Sequence, residues 1–220
     1  MSISDMMSGL MMLFLFISVA YMLNVYHEKE RIKEIAITYN RLQNDLYLDL
    51  YSEFRNDLDK WNAVIDRQLL SVRFEAPDVL FEQGDYIIKP VFKGILDDFW
   101  PRYIRILTNE KYKNDIEEIR IEGHTSSEWR QDVPAPLAYL LNMKLSQDRT
   151  RSVLEYVLSI TGQLLDNNWV RLHLTANGLS SSKLILTNGT EDPNLSRRVE
   201  FRVRTNAERR IVKIIEESEE

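Results

Sequence analysis

The sequence predicts an α/β (α+β) domain, a sheet with helices on one face, preceded by one transmembrane helix and a long amphipathic linker helix. Three observations carry that prediction. Residues Met6 to Val25 contain no charged side chain. From Glu28 to Ala76 there is neither glycine nor proline, and apolar residues recur at helical spacing. Beyond residue 70, short runs that alternate apolar with polar residues are separated by helical segments.

The elements follow in order. Residues 1–27 form an N-terminal tail and span, because about twenty uncharged residues make a helix of roughly 30 Å, the thickness of a bilayer core. Only Ser8, Ser18 and Asn24 interrupt its apolar surface, which leaves no polar face for a soluble core helix. A cleavable signal peptide is the alternative, since Ser18-Val19-Ala20 is a small-x-small site; against it, the run continues past Ala20 and no lysine or arginine precedes it. Lys29, Arg31 and Lys33 follow the span, so the positive-inside rule taken alone places the C-terminal part in the cytoplasm.

Residues 28–70 read as one amphipathic linker helix. Ile32, Ile35, Tyr39, Leu42, Leu46, Leu50, Phe54, Leu58, Trp61, Ile65 and Leu69 follow in steps of three and four, averaging about 3.7. Such a seam suits either a helix lying on its own domain or a stalk of about 65 Å pairing with a second copy of itself; its length favours the homodimer.

Residues 71–206 read as the compact domain. Val72-Arg73-Phe74 is a short strand, and Pro90 fits the first turn of a helix to Leu107 that Pro101 should kink. Ile119 and Ile121 alternate with Arg120 and Glu122 in a strand ending at Gly123-His124. A helix is expected from about Leu145 to Leu165, then strands through Val170, Leu172 and Leu174 and through Val199, Phe201 and Val203. One apolar and one polar face per strand implies helices on one side of the sheet only. Residues 207–220 read as a helical, acidic tail.

Composition excludes several functions. With 44 % hydrophobic and 28 % charged residues the chain is neither a disordered tail nor a polytopic membrane protein. A net charge of −6 argues against a partner nucleic acid held by bulk electrostatics. There is no cysteine, and His27, His124 and His173 lack zinc-ligand spacing, so no metal site is expected. The glycines never cluster into a phosphate loop, and Ser180-Ser181-Ser182 lacks the glycine-flanked elbow of a hydrolase. His124 at a strand end reads first as a structural histidine. No enzyme and no cofactor are expected.

Four segments carry a resemblance: V-L-F-E-Q-G-D-Y-I at 79–87, I-E-G-H-T-S-S-E-W at 121–129, N-M-K-L-S-Q-D-R-T-R-S-V at 142–153 and S-R-R-V-E-F at 196–201. In that order they resemble the OmpA-like peptidoglycan-binding domain, with its G-H-T-D, N-x-x-L-S-x-x-R and N-R-R-V-E patterns. The resemblance implies a mixed sheet with helices on one face and a groove for the diaminopimelate of peptidoglycan stems. Arg149 matches the arginine that grips the ligand carboxylate, and Asn142 and Leu145 match residues of the same helix. Ser126 stands where the family has the aspartate that receives the ammonium, and Glu128 is near enough in sequence to substitute. An insertion from Glu128 to Leu141 separates the two halves of the site, and Leu141 is expected among the peptidoglycan-binding residues.

The N-terminus, S-D-M-M-S-G-L-M-M-L-F-L-F, is similar to the B subunits of ion-driven stators such as flagellar MotB, in which an aspartate opens an apolar helix. D-M-M-S-G-L-M-M at 5–12, F-W-P-R-Y-I at 99–104 and S-R-R-V-E-F-R-V at 196–203 resemble the ZorB family of the Zorya anti-phage systems, and Ser126 favours it over MotB. That resemblance implies an inner-membrane, single-pass subunit with its C-terminal domain in the periplasm, opposite to the charge count. It implies Asp5 as the ion-carrying residue, with protons favoured over sodium, and more residues before the aspartate than the four here. It implies as partners a MotA-like ZorA ring, a second copy of the chain and peptidoglycan, with cytosolic Zorya effectors reached indirectly. The rival reading is a passive wall tether without ion transport.

Overall fold

The computed structural model describes residues 3–75, 77–82, 84–130, 132–161 and 167–206, with the backbone alone at 3–5, 35, 38, 39, 77, 78 and 167. The expected tail helix at 207–220 and the end of the helix expected to reach Leu165 lie outside the described residues. Two compact units divide the chain, one of residues up to Leu42 and one of Gln43–Asn206.

The first unit is helical: α1 runs Ile3–Phe54 and includes all of its described residues. Met6–Glu34 is long and apolar enough to cross a membrane, and the side chains of residues 6–27 are all exposed. Seventeen exposed apolar side chains in this stretch fit a lipid environment, not water.

The second unit starts inside the same helix. Leu46, Leu50 and Phe54 of α1 are fully buried in it. Here the structure corrects the sequence reading, because the linker helix expected to run to Leu70 ends at Phe54. A turn leads to the single-turn α2 (Leu58–Trp61), which Asn62 closes in the left-handed conformation with φ 48°. Strand β1 (Ala63–Asp66) follows. Steps of four misled at this point: Trp61, Ala63 and Ile65 are the buried residues, and a step of four is also two periods of a strand.

Next come β2 (Ser71–Phe74), the short α3 (Pro77–Leu80) and α4 (Pro90–Leu107), which runs through Pro101. Strand β3 (Ile116–His124) leads to α5 (Ala135–Thr161). Helix α5 begins well before Leu145 because the second half of the insertion, Ala135 to Leu141, is itself helical. A second correction follows. Val170 and Leu172 lie in a helix, α6 (Asn167–His173), and only Leu174 opens the strand β4 (Leu174–Gly178). Adjacent Trp169 and Val170 are both buried while Leu172 is exposed, a helical pattern, and His173 Nδ1 lies 2.8 Å from the carbonyl of Trp169 one turn earlier. A small hairpin of β5 (Leu186–Thr187) and β6 (Thr190–Glu191), the turn-long α7 (Pro193–Ser196) and strand β7 (Arg198–Thr205) complete the unit.

The main sheet has the order β1-β2-β7-β3-β4, antiparallel except for the parallel pair β3–β4, and is therefore mixed. Its inner face packs on α4 and α5 through an aromatic cluster. Phe99 of α4 lies 5.3 Å from Phe74 and 5.1 Å from Phe201, ring to ring, and Trp100 donates its indole N–H to Thr161 of α5 at 2.8 Å.

The other face is a ladder of charge. Glu122 stands opposite Glu200, Arg120 opposite Arg202 and Glu118 opposite Arg204. Like charges directly opposite would repel. Arg198 relieves them by donating to Glu200 at 2.6 Å, while Arg120 and Arg202 stand 3.9 Å from Glu122. His124 is buried among them with Nε2 3.7 Å from both carboxylates. Glu122, His124 and Glu200 bring possible ligand atoms within 4.8 Å of one another, but these guanidiniums already neutralise both acids, which disfavours a metal cation there.

Candidate functional site

One open groove of about 450 Å³ collects the sequence motifs. It is lined by Phe81, Glu82 and Gly84, by residues that follow β3, by the middle of α5 and by Arg197 after α7. Glycine at 123 lets these elements meet. A Cβ there would stand 2.7 Å from Thr150 Cγ2 and 2.9 Å from the carbonyl oxygen of Ser146, closer than side chains tolerate, so α5 presses on the end of β3 only because residue 123 has none. Ser180 locks the same corner: its N–H donates to Ser146 Oγ at 3.1 Å and its carbonyl accepts from Thr125 N–H at 3.0 Å.

Arg149 is a buried cation of the groove. It is 9 % exposed; Nε donates to the carbonyl of Asp85 at 2.8 Å and Nη2 to that of Glu82 at 3.4 Å. Its guanidinium lies 4.8 Å from the centroid of the Phe81 ring. Among the described residues no carboxylate forms an ion pair with it. Burial, and then the charge of Arg197, push its pKa down to about 10, partly offset by Asp85, so it remains a cation at neutral pH. A cation oriented by neutral acceptors and left without a counter-ion is suited to an anionic ligand.

The structure gives the other expected residues different positions. Leu145, Ser126 and Glu128 line the groove with Arg149. Asn142 also lines it, but its amide N–H groups go to the carbonyls of Ser126 and Glu128, both at 3.1 Å. It holds the loop after β3, which makes it a positioning residue. Leu141 is half-buried on α5 and lies outside the groove lining. The backbone of Asp5 belongs to α1, and its side chain lies outside the described residues.

Sequence reasoning missed Phe81, Thr125, Trp129, Arg130 and Arg197 as groove residues. Thr125 is buried, and among the described residues its hydroxyl has no hydrogen-bond partner. Arg197 stood inside a quoted motif, S-R-R-V-E-F, whose first arginine was a usable signal.

The fold and this groove define a mixed α/β sheet domain with an open, arginine-bearing groove, in a chain that also carries a helix long and apolar enough to cross a membrane. No family model matches the chain. It is 52 % identical over 217 residues to Zorya protein ZorB of Escherichia coli (strain ATCC 8739), a match covering 98 % of this chain and 92 % of that protein. The chain belongs to the ZorB family. Among solved structures it is similar to a putative MotB-like protein from Desulfovibrio vulgaris, with a TM-score of 0.49 and 24 % identity, covering 81 % of this chain and 98 % of that one. It is also similar to the cell wall anchor of the T6SS from Pseudomonas aeruginosa, with a TM-score of 0.47 and 20 % identity over 71 % of this chain and 96 % of that one. The periplasmic domain of Helicobacter pylori MotB gives a TM-score of 0.43 at 17 % identity, over 67 % and 84 % of the two chains.

Proposed function

We propose that this chain is the B subunit of a proton-driven stator in anti-phage defence, a single-pass inner-membrane protein whose groove grips peptidoglycan in the periplasm. The observation that carries the wall-binding part is Arg149, a nearly buried guanidinium fixed by two backbone carbonyls with no carboxylate of its own. It would hold a carboxylate of the peptide stem, with Thr125, Ser126, Leu145 and Glu128 around the rest of the ligand. Ser126 cannot receive an ammonium as a carboxylate does; Glu128 on the exposed rim would take that part. No catalytic group is assigned.

The motor part rests on family membership and on the exposed apolar helix that follows Asp5. Asp5 would carry protons inside a ring of MotA-like ZorA chains, with ring rotation reporting phage attack to cytosolic effectors. A homodimer would put two such aspartates in one ring. Because Leu46, Leu50 and Phe54 are buried within their own domain, pairing of copies falls to the stretch of α1 before Leu42.

The wall reading is tested by Arg149→Ala in the full chain. Co-sedimentation with purified peptidoglycan should be lost while the far-UV spectrum and melting are retained. Undiminished sedimentation would refute wall-gripping through this groove.

A further inference from the structure

One peptide plane beside the groove is gripped at both edges. The peptide joining Ser126 to Ser127 accepts at its carbonyl from the Asn142 amide of α5 at 3.1 Å, and its N–H donates to the Glu191 carboxylate of β6 at 2.9 Å. A trans peptide points those two groups in opposite directions, so α5 and the β5–β6 hairpin hold it from opposite sides. The Ser127 hydroxyl donates to the second carboxylate oxygen of Glu191, which makes that hold bidentate. Asn142 also donates to the carbonyl of Glu128 at 3.1 Å. Three consecutive residues are thereby fixed, and the outer two, Ser126 and Glu128, line the groove.

The hairpin does not need this contact to fold. Its two-residue turn, Asn188-Gly189, has φ of 54° and 80°, the left-handed pair that closes tight hairpins. Its base is tied by the Asp192 N–H to the carbonyl of Ile185 at 2.9 Å and by the Ile185 N–H to Ser196 Oγ at 3.0 Å. Nor does the contact belong to the core: residues 186–190 and Ser127 are exposed, and Glu191 is half-buried. Among the described residues no lysine or arginine pairs with Glu191, and each of its oxygens accepts from Ser127. Bonds to an ionised acceptor are about twice as strong as neutral ones. Without them the segment would be free to rock about the two carbonyls that Asn142 holds.

We propose that Glu191 is a positioning residue of the groove, whose carboxylate fixes the Ser126–Ser127 peptide and with it the direction in which Ser126 and Glu128 meet the ligand. The proposal rests on the stem-peptide reading and adds to it a residue that lies outside the groove lining. A freed loop would spend part of its time in other conformations, and apparent affinity falls by the fraction of time that the site is competent.

The test uses the full chain in detergent, with a stem tripeptide ending in diaminopimelate as the probe for titration calorimetry. Glu191→Ala should bind it about tenfold more weakly, the loss for a loop that is competent about a tenth of the time, with its melting temperature unchanged. Glu191→Gln keeps one acceptor oxygen and should recover part of the affinity. Ser127→Ala should lose less than Glu191→Ala, and the double variant no more than Glu191→Ala alone, because the two side chains act as one unit. Hydrogen exchange supplies a readout that needs no ligand: the Ser127 amide should exchange faster in Glu191→Ala while the Asp192 amide keeps its protection. The proposal is overturned by undiminished affinity in Glu191→Ala, by unchanged exchange at Ser127, or by losses that simply multiply in the double variant. A melting temperature that falls along with the affinity overturns it too, since Glu191 would then be a purely structural residue. Failure of the stem-peptide reading looks different: Arg149→Ala would bind the tripeptide unchanged, and exchange at Ser127 would still decide whether Glu191 holds the loop.

Discussion

Phe54, the last residue of α1, stands 5.2 Å from Phe99, ring centre to ring centre, in the middle of the domain core. The helix that begins as the candidate membrane span thus ends as part of the folded domain. Charge reinforces the join: Arg102 donates to Glu53 at 2.7 Å and to Asp57 at 3.0 Å and lies over the Phe54 ring at 4.9 Å. Asp49 accepts from the hydroxyl of Tyr112 and pairs with Lys111 at 3.1 Å.

Phe54→Ala should therefore destabilise the whole domain, not merely loosen a linker. Removing a fully buried aromatic ring costs about 3–5 kcal/mol, a large part of a typical domain's stability. Urea unfolding followed by tryptophan fluorescence would show it, because Trp61 and Trp100 pack beside this cluster. An unchanged midpoint would mean that the C-terminal part of α1 does not belong to the domain in solution.

The charge ladder predicts an acid-sensitive fold. Burial alone would raise the pKa of Glu118, but hydrogen bonds from Thr175, Arg120 and Arg204 outweigh it and hold the carboxyl below the usual range. Glu122 is lowered likewise, with burial opposed by His124, Arg202 and Arg120. A carboxyl whose folded pKa lies below its unfolded value stabilises the fold above the unfolded value and loses that contribution as pH falls through the folded one. Stability from these groups should hold from pH 7 to about 5 and fall below the ordinary glutamate range near 4.3. Glu118→Gln should show a smaller drop in urea midpoint between pH 6 and pH 3 than the unsubstituted chain. Equal drops would remove Glu118 from the explanation.

Much of this was legible in the sequence, and the failures have physical causes. Strands β2, β3 and β7 were legible because Phe74, Ile119, Ile121, Phe201 and Val203 alternate cleanly with charged residues. Arg149 was legible only through its motif, since no periodicity distinguishes it from Arg151 two residues on. The end of α1 was not legible. Trp61 and Ile65 continue the helical spacing, and what stops the helix is the pull of Phe54 and Trp61 into a core made by residues far along the chain. The neutral acceptors of Arg149 are backbone carbonyls of a distant loop, which no side-chain pattern encodes.

Pairing of copies and the side of the membrane can be read with one residue. Ile32 of α1 is 42 % exposed, whereas Leu46 is fully buried, and the chain has no cysteine of its own. Ile32→Cys should form a disulfide-linked dimer under oxidation, and Leu46→Cys should not. The cysteine at 32 should also react with impermeant thiol reagents added to the periplasmic side. Labelling from the cytosol alone would vindicate Lys29, Arg31 and Lys33 as the topology signal and overturn the wall-facing orientation.

Asp5 separates a motor from a tether. Its backbone lies in the first turns of α1, immediately before the span that starts at Met6. As a helix cap beside Ser4 it would need only to accept hydrogen bonds at the membrane surface, and asparagine does that nearly as well as aspartate. As a proton carrier it must gain and lose a proton within apolar surroundings, which asparagine cannot do. The energy available is ample, since one charge crossing 100 mV yields about 2.3 kcal/mol, several times RT. Asp5→Asn keeps the size and the polar contacts, so the variant should reach the membrane and sediment with peptidoglycan as the unsubstituted chain does. Phage protection and proton flux should both vanish, and Asp5→Glu should restore a part of each. Full protection by Asp5→Asn would leave a passive anchor as the function of this chain.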